Sequence, residues 1–161
     1  MNKPDTLVVI SAGGAPGRCR ETARGRTVLE RVVCLARSLP ETAEVAVLAP
    51  DTGQAMSLGR AFKDLCNARF HAMLGGRLVP TYRWLLQKYP ARFLLCLDGD
   101  NLLVTRDVAR GVLDACRKHS APAFFDATAE PGAPPSVFGR VDAAPADAVI
   151  KAAAFPEYAD S

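Results

Sequence analysis

The stretch Leu94–Thr105 reads LLCLDGDNLLVT, an apolar run that ends at two aspartates one residue apart. With Phe93 in front of it, the run is typical of a strand that is buried on both faces of a parallel sheet. Asp98 and Asp100 are therefore expected at the carboxyl end of this strand, where open α/β sheets bind ligands. Two carboxylates on a short turn can share one divalent cation through their oxygen atoms.

The same stretch also has a plainer interpretation, as a turn followed by the start of a helix. Asp, Gly and Asn are common turn residues. Thr105 with Asp107 suits the N-terminus of a helix. Because two aspartates at this spacing are common, these residues alone leave both interpretations open.

Strand-like and helix-like segments alternate along most of the chain. Strands are expected at Thr6–Ser11, Glu44–Leu48, Arg69–Met73, 93–97 and Ala123–Phe125, with a weaker one at Ser136–Val141. Helices are expected from a capping box at Thr27–Glu30 to Pro40, over Ala55–Leu65, Leu78–Tyr89 and Val108–Cys116, and in the Ala-rich stretch through Ala154. This alternation predicts an α/β fold: a Rossmann-like three-layer sandwich with a mainly parallel sheet.

Length and composition indicate one domain over residues 1–161. The chain is 49% hydrophobic and 23% charged, which suits a single globular core. No apolar run approaches the roughly 20 residues of a membrane span, and none near the start resembles a secretory signal, so we expect a cytoplasmic protein without membrane contact. The five cysteines contain no C-x-x-C pair, so neither a disulfide framework nor a zinc site is indicated.

The loop after the first expected strand is rich in glycine and arginine, which favours a polyanionic ligand. Its sequence SAGGAPGR would let backbone N–H groups approach phosphate at Gly13, Gly14 and Gly17. A group of five arginines follows within this region: Arg18, Arg20, Arg24, Arg26 and Arg31. They suit a nucleoside triphosphate or a solvated basic face, and the lack of interleaved aromatic residues disfavours nucleic acid.

Two familiar phosphate loops do not fit this segment. A P-loop requires Gly-Lys-Ser/Thr, and no lysine follows these glycines. A dinucleotide fingerprint requires a helix that begins at its last glycine. The capping box at Thr27 puts the helix start further along the chain.

Four motifs, in order, resemble the nucleotidyltransferases of the glycosyltransferase-A-like (nucleotide-diphospho-sugar transferase) fold, and specifically the molybdenum-cofactor guanylyl- and cytidylyltransferase group. They are AGGAPGR at Ala12–Arg18, which carries one extra residue, GRTVLERV at Gly25–Val32, LCLDGDNLLVT at Leu95–Thr105 and GAPPSVFG at Gly132–Gly139. The resemblance extends over roughly residues 6 to 140.

The resemblance implies a site for a nucleoside triphosphate and Mg²⁺ or Mn²⁺. Arg18 and Asp98 would be catalytic, and Asp98 and Asp100 would carry the metal. The nucleotide would be held by the loop residues Ala12, Gly13, Gly14, Gly17, Arg18 and Arg24. The implied reaction transfers a nucleotidyl group to a small phosphorylated acceptor. We further expect the loop from Ala12 to Arg18 and the turn from Asp98 to Asn101 to face one cleft at the same edge of the sheet.

Two departures from the family pattern keep other functions open. The interval CRETAR at Cys19–Arg24 is short and lacks the family's essential lysine, and the chain is shorter than the family's acceptor-binding part requires. Arginine does not reproduce a compact ammonium group. A nucleotide-sugar-dependent glycosyltransferase of the same fold and a catalytically inactive nucleotide-binding or regulatory module are the alternatives. A homo-oligomer is compatible with the sequence.

Overall fold

The computed structural model describes residues 3–12, 22–23, 26–63, 68–99, 101, 104–126 and 140–152. These ranges contain the strands β1 (Thr6–Ser11), β2 (Thr22–Ala23), β3 (Arg26–Thr27), β4 (Thr42–Ala49), β5 (Ala68–Ala72), β6 (Phe93–Asp98), β7 (Ala123–Asp126) and β8 (Arg140–Pro145). The helices are α1 (Val28–Ser38), α2 (Thr52–Ala61), α3 (Leu78–Lys88), α4 (Arg106–His119) and α5 (Ala146–Ala152), with a 3-10 turn at Leu74–Gly76.

A six-stranded sheet in the order β5-β4-β1-β6-β8-β7 forms the middle layer. β5, β4, β1 and β6 are parallel, whereas β8 runs antiparallel to both β6 and β7. β2 and β3 pair as a separate antiparallel ribbon. The predicted α/β fold with a mainly parallel sheet is confirmed.

Helices cover both faces of the sheet, and the side chains of β1 alternate between the two cores. Val8 and Ile10 pack with residues of α1, α2 and α4 on one face, while Leu7 and Val9 pack with residues of α3 and α5 on the other. This alternation follows from the two-residue repeat of a strand. No helix in the described ranges is long and apolar enough to cross a membrane.

Most elements lie close to where the sequence indicates, but α2, β8 and α5 begin elsewhere. α2 starts at Thr52 rather than Ala55, because Asp51 caps it: its Oδ1 accepts from the backbone N–H of Gln54 at 2.8 Å. The weak strand expected at Ser136–Val141 is observed at Arg140–Pro145, and the following helix begins only at Ala146. These residues are extended because they pair with β6. The expected segments at 136–139 and 153–154 lie outside the described residues.

The start of α4 depends on a threonine rather than on the aspartates before it. The backbone N–H of Val108 donates to Thr105 Oγ1 at 3.2 Å, as the sequence predicts. Thr27 caps α1 in the same way, accepting from the backbone N–H of Glu30 at 3.2 Å. Thr105 therefore accounts for the helix start that the plainer interpretation predicts.

We expect Thr105→Ala to lower the free energy of unfolding by about 1 kcal/mol, because it leaves a donor of the first helical turn without its side-chain partner. Thr105→Ser keeps the hydroxyl and should retain most of the stability. Chemical denaturation followed by circular dichroism measures both. Equal losses in the two variants would show that the methyl group of Thr105, and not its cap, is what matters.

Candidate functional site

The carboxyl ends of four parallel strands meet at one edge of the sheet. Ser11, the last residue of β1, is in register with Leu48 on one side and with Asp98 on the other. Ala49 and Ala72 end β4 and β5 at the same level. The segments that follow these strands therefore all lie at this edge, which we call the carboxyl edge. Parallel α/β sheets bind their ligands at such an edge.

Hydrogen bonds hold the start of the Gly-rich loop next to the start of the DGD turn. The backbone N–H of Ala12 donates to the carbonyl of Leu48 at 2.8 Å, and that of Gly99 donates to the carbonyl of Ser11 at 2.7 Å. The expectation that loop and turn share an edge is thus met for the described residues, Ala12 and 98–99. Asp98 is the last residue of β6 rather than the first residue after it.

The other predicted site residues lie outside the described residues. They are Gly13, Gly14, Gly17, Arg18 and Arg24 of the loop, and Asp100 of the turn. Their roles stay predictions. Ala12 and Asp98 mark the two points where these segments leave the sheet.

Asn101, which sequence reasoning treated only as a turn residue, connects the turn to its surroundings. Its backbone N–H donates to the carbonyl of Asp98 at 3.2 Å, and its Oδ1 accepts from the backbone N–H of Val104 at 2.9 Å. Its Nδ2 donates to the carbonyl of Arg140 at 3.2 Å. The side chain is 3% exposed. Asn101 therefore connects the turn to β8 and to the segment just before α4, and the turn-forming chemistry of Asn is its sequence signal.

A third loop at the carboxyl edge follows β5. Gly75 and Gly76 both have positive φ, 59° and 69°. The buried Thr81 supports this turn, because its Oγ1 accepts from the backbone N–H of Leu74 at 2.9 Å and donates to the carbonyl of Arg77. Glycines in this conformation let a ligand approach the backbone without a Cβ in the way.

The described residues contain no group of three or more His, Cys, Asp or Glu side chains that could hold a metal ion. Asp98 is half-buried, and its carboxylate faces the α3 side of the sheet. Burial raises the pKa of Tyr82 on α3 well above its usual value, and the nearby Asp98 carboxylate adds to that rise. Mg²⁺ commonly takes only one or two protein carboxylates and completes its shell with water and substrate phosphates. Asp98 supplies one such carboxylate at the end of β6.

We expect Asn101→Ala to lower the free energy of unfolding by about 1–3 kcal/mol, because it removes two part-buried hydrogen bonds, to the backbone N–H of Val104 and to the carbonyl of Arg140. Gln54→Ala is the matched control, since that side-chain amide bonds Asp51 in an exposed position. Urea denaturation compares the two variants. Losses of the same size would contradict the anchoring role of Asn101.

The sequence matches no protein-family model and no curated protein, but the fold matches solved structures. A cytidylyltransferase from Leptospira borgpetersenii serovar Hardjo-bovis superposes with a TM-score of 0.70 at 14% identity, over 92% of this chain and 62% of that one. A CMP:2-keto-3-deoxy-manno-octonic acid synthetase complexed with CTP gives 0.65 at 15% identity, over 94% and 78%. Rv0371c from Mycobacterium tuberculosis, in complex with manganese, gives 0.53 at 21% identity, over 68% and 58%.

These similarities establish the fold. The chain has the architecture of the nucleotide-diphospho-sugar transferase fold, which its structural neighbours among the cytidylyltransferases share. It spans 62% of the length of the Leptospira protein. At sequence identities between 14% and 21%, a shared fold does not show that the activity is also shared.

Proposed function

We propose that the protein is a Mg²⁺-dependent nucleotidyltransferase, which moves a nucleotidyl group from a nucleoside triphosphate to a small phosphorylated acceptor. One observation carries the proposal: the hydrogen bond from Gly99 to Ser11 puts the carboxylate-bearing end of β6 beside the start of the Gly-rich loop. A triphosphate on that loop would lie within reach of a cation at Asp98. Phosphoryl chemistry of this type depends on positioning and charge neutralisation.

In this proposal, different residues of the carboxyl edge bind the triphosphate and the cation. Backbone N–H groups of the loop from Ala12 hold the triphosphate, and Arg18 and Arg24 offset its negative charge. Asp98 and Asp100 hold the cation. The cation, when bound, neutralises phosphate charge and helps orient the α-phosphate.

The turn at Gly75–Gly76 extends the nucleotide site to β5. It lies two strands away from the Gly-rich loop at the same edge, and its backbone is exposed. Its N–H and carbonyl groups can contact the base or the ribose while the loop holds the phosphates. Thr81 contributes indirectly, by fixing the shape of this turn.

The compared proteins indicate which ligands to test first. One was solved with CTP and another with manganese, so CTP and Mn²⁺ belong beside GTP and Mg²⁺ in any screen. The motif resemblance adds molybdopterin as a candidate acceptor. A cytoplasmic location without a membrane partner is part of the same proposal.

The missing lysine favours a second function, a nucleotide-binding module without turnover. The interval Cys19–Arg24 offers only arginines where the family pattern has a lysine. A guanidinium group is larger and planar, so it does not replace an ammonium group in a compact site. Binding and turnover therefore need separate measurements.

We expect Asp98→Asn to weaken Mg²⁺-dependent binding of CTP or GTP by about tenfold or more, equivalent to about 1.4 kcal/mol, because it removes one metal-binding charge. The melting temperature should change little, since Thr105 and not Asp98 caps α4. Calorimetric titration of nucleotide with and without Mg²⁺ measures the effect. Asp114→Asn, on the exposed side of α4, is the control. Unchanged affinity in Asp98→Asn would remove the metal assignment.

Turnover with molybdopterin should be weak or absent even where nucleotide binds, because no lysine supports the triphosphate. Pyrophosphate release measured with each nucleoside triphosphate and acceptor tests this expectation. A fast rate would show that an arginine of the interval 19–24 serves in place of the lysine. Nucleotide-sugars in parallel reactions distinguish the glycosyltransferase alternative, which would release a nucleoside diphosphate instead.

A further inference from the structure

A cavity of about 330 Å³ lies on the α3 and α5 side of the sheet, against β6, β8 and β7. Its wall is mainly carbon, from Val79, Leu94, Ala144, Val149 and the ring of Phe124. Phe124 is 65% exposed at the mouth. A volume of this size with few polar groups is characteristic of a small-molecule site.

The cavity lies close to the carboxyl edge. Cys96 lines it and lies two residues before Asp98 on β6, so the two side chains point to the same face of the sheet. Arg140 also lines the cavity, and its carbonyl accepts the hydrogen bond from Asn101 of the DGDN turn. A ligand in the cavity can therefore extend one end towards Asp98.

The polar groups inside the cavity favour an uncharged occupant. Tyr82 and Cys96 both line the cavity, and they contribute one hydroxyl and one thiol group. Asp142 also lines the cavity. Apart from Arg140 and Asp142, which pair with each other, the lining offers no charged group to an ionic occupant.

The charged pair of the cavity lies near its mouth. Arg140 Nε donates to both carboxylate oxygens of Asp142, at 3.1 and 3.0 Å, and its guanidinium lies 4.7 Å from the centroid of the Phe124 ring. Phe124, Arg140 and Asp142 thus form an ordered rim. The interior stays apolar while the rim accommodates polar groups.

We propose that this cavity binds the body of the acceptor, and that the acceptor is a compact organic phosphate with an aromatic or branched aliphatic body whose phosphate lies at the carboxyl edge beside Asp98. This inference rests on the proposed function. A polyhydroxylated sugar would leave several hydroxyl groups unpaired against the carbon wall, which costs binding free energy.

The bound orientation suits the proposed reaction. An oxygen of the acceptor phosphate forms a bond to the α-phosphorus, and the bond from that phosphorus to the oxygen bridging it to the β-phosphorus breaks. Pyrophosphate leaves with the electron pair of the broken bond. The acceptor phosphate reacts as an anion, so no side chain of the cavity has to take a proton.

The test uses 1-naphthyl phosphate as the apolar probe and glycerol 3-phosphate as its polar counterpart, titrated into the full chain. Ala144→Leu narrows the cavity, and Ala43→Leu, at an exposed position of β4, adds the same atoms elsewhere. We expect naphthyl phosphate to bind the unmodified protein and Ala43→Leu equally, and Ala144→Leu about tenfold more weakly, a loss of about 1.4 kcal/mol. Glycerol 3-phosphate should bind more weakly than naphthyl phosphate.

A second variant distinguishes a loss of binding from a loss of folding. Phe124→Ala changes an exposed side chain and should lower naphthyl phosphate affinity while leaving the melting temperature unchanged. The proposal is overturned if naphthyl phosphate does not bind, if Ala144→Leu and Phe124→Ala bind it like the unmodified protein, or if glycerol 3-phosphate binds equally well. Titration of CTP with Mg²⁺ tests the nucleotidyltransferase function separately. If naphthyl phosphate binds in the cavity but no nucleotide binds, the ligand class is supported and the nucleotidyltransferase function is rejected.

Discussion

The parallel pairing of β1 with β6 is the constraint on which the candidate site depends. The two strands run in step from Thr6 opposite Phe93 to Ser11 opposite Asp98, so that apolar residues face apolar residues and both strands become polar at the same level. A slip of one residue would move Asp98 by about 3.3 Å along the sheet. It would draw a carboxylate towards the apolar interior, which is costly without a partner. The register that buries the core therefore also puts Asp98 at the edge.

The opposite edge of the sheet is fixed by a different set of contacts. The carbonyl of Glu41 accepts from the backbone N–H groups of both Asp5 and Thr6, each at 3.0 Å, and the carbonyl of Asp5 accepts from Arg92 and Phe93. Arg117 of α4 forms an ion pair with Asp5 and donates to Thr6 Oγ1 at 3.1 Å. The starts of β1, β4 and β6 are thus tied together. These contacts align the starts of the three strands, and the parallel registers keep the strands aligned as far as the carboxyl edge.

Local signals predicted the elements well, and distant pairings account for what they missed. The caps at Thr27 and Thr105 and the buried run before Asp98 each depend on a few neighbouring residues, and the structure has them where the sequence indicates. The insertion of β8 between β6 and β7 depends on residues more than 40 positions apart, so no local pattern shows it. The bond from Asn101 to the carbonyl of Arg140 follows from that insertion. The sequence indicates that Asn101 lies in a turn, but it does not indicate that the carbonyl of Arg140 is its hydrogen-bond partner.

The central position of β6 explains why one carboxylate can serve two ligands in the proposed reaction. β1, which carries the Gly-rich loop, lies on one side of β6, and β8, which lines the cavity, lies on the other. α1, α2 and α4 pack on one face of the sheet, whereas on the other face α3 and α5 leave Phe124 exposed beside the cavity. A nucleotide entering from β1 and an acceptor entering from β8 would therefore approach Asp98 from opposite sides. Transfer between two phosphates requires such an approach, because the attacking and leaving oxygens lie roughly in line through the phosphorus.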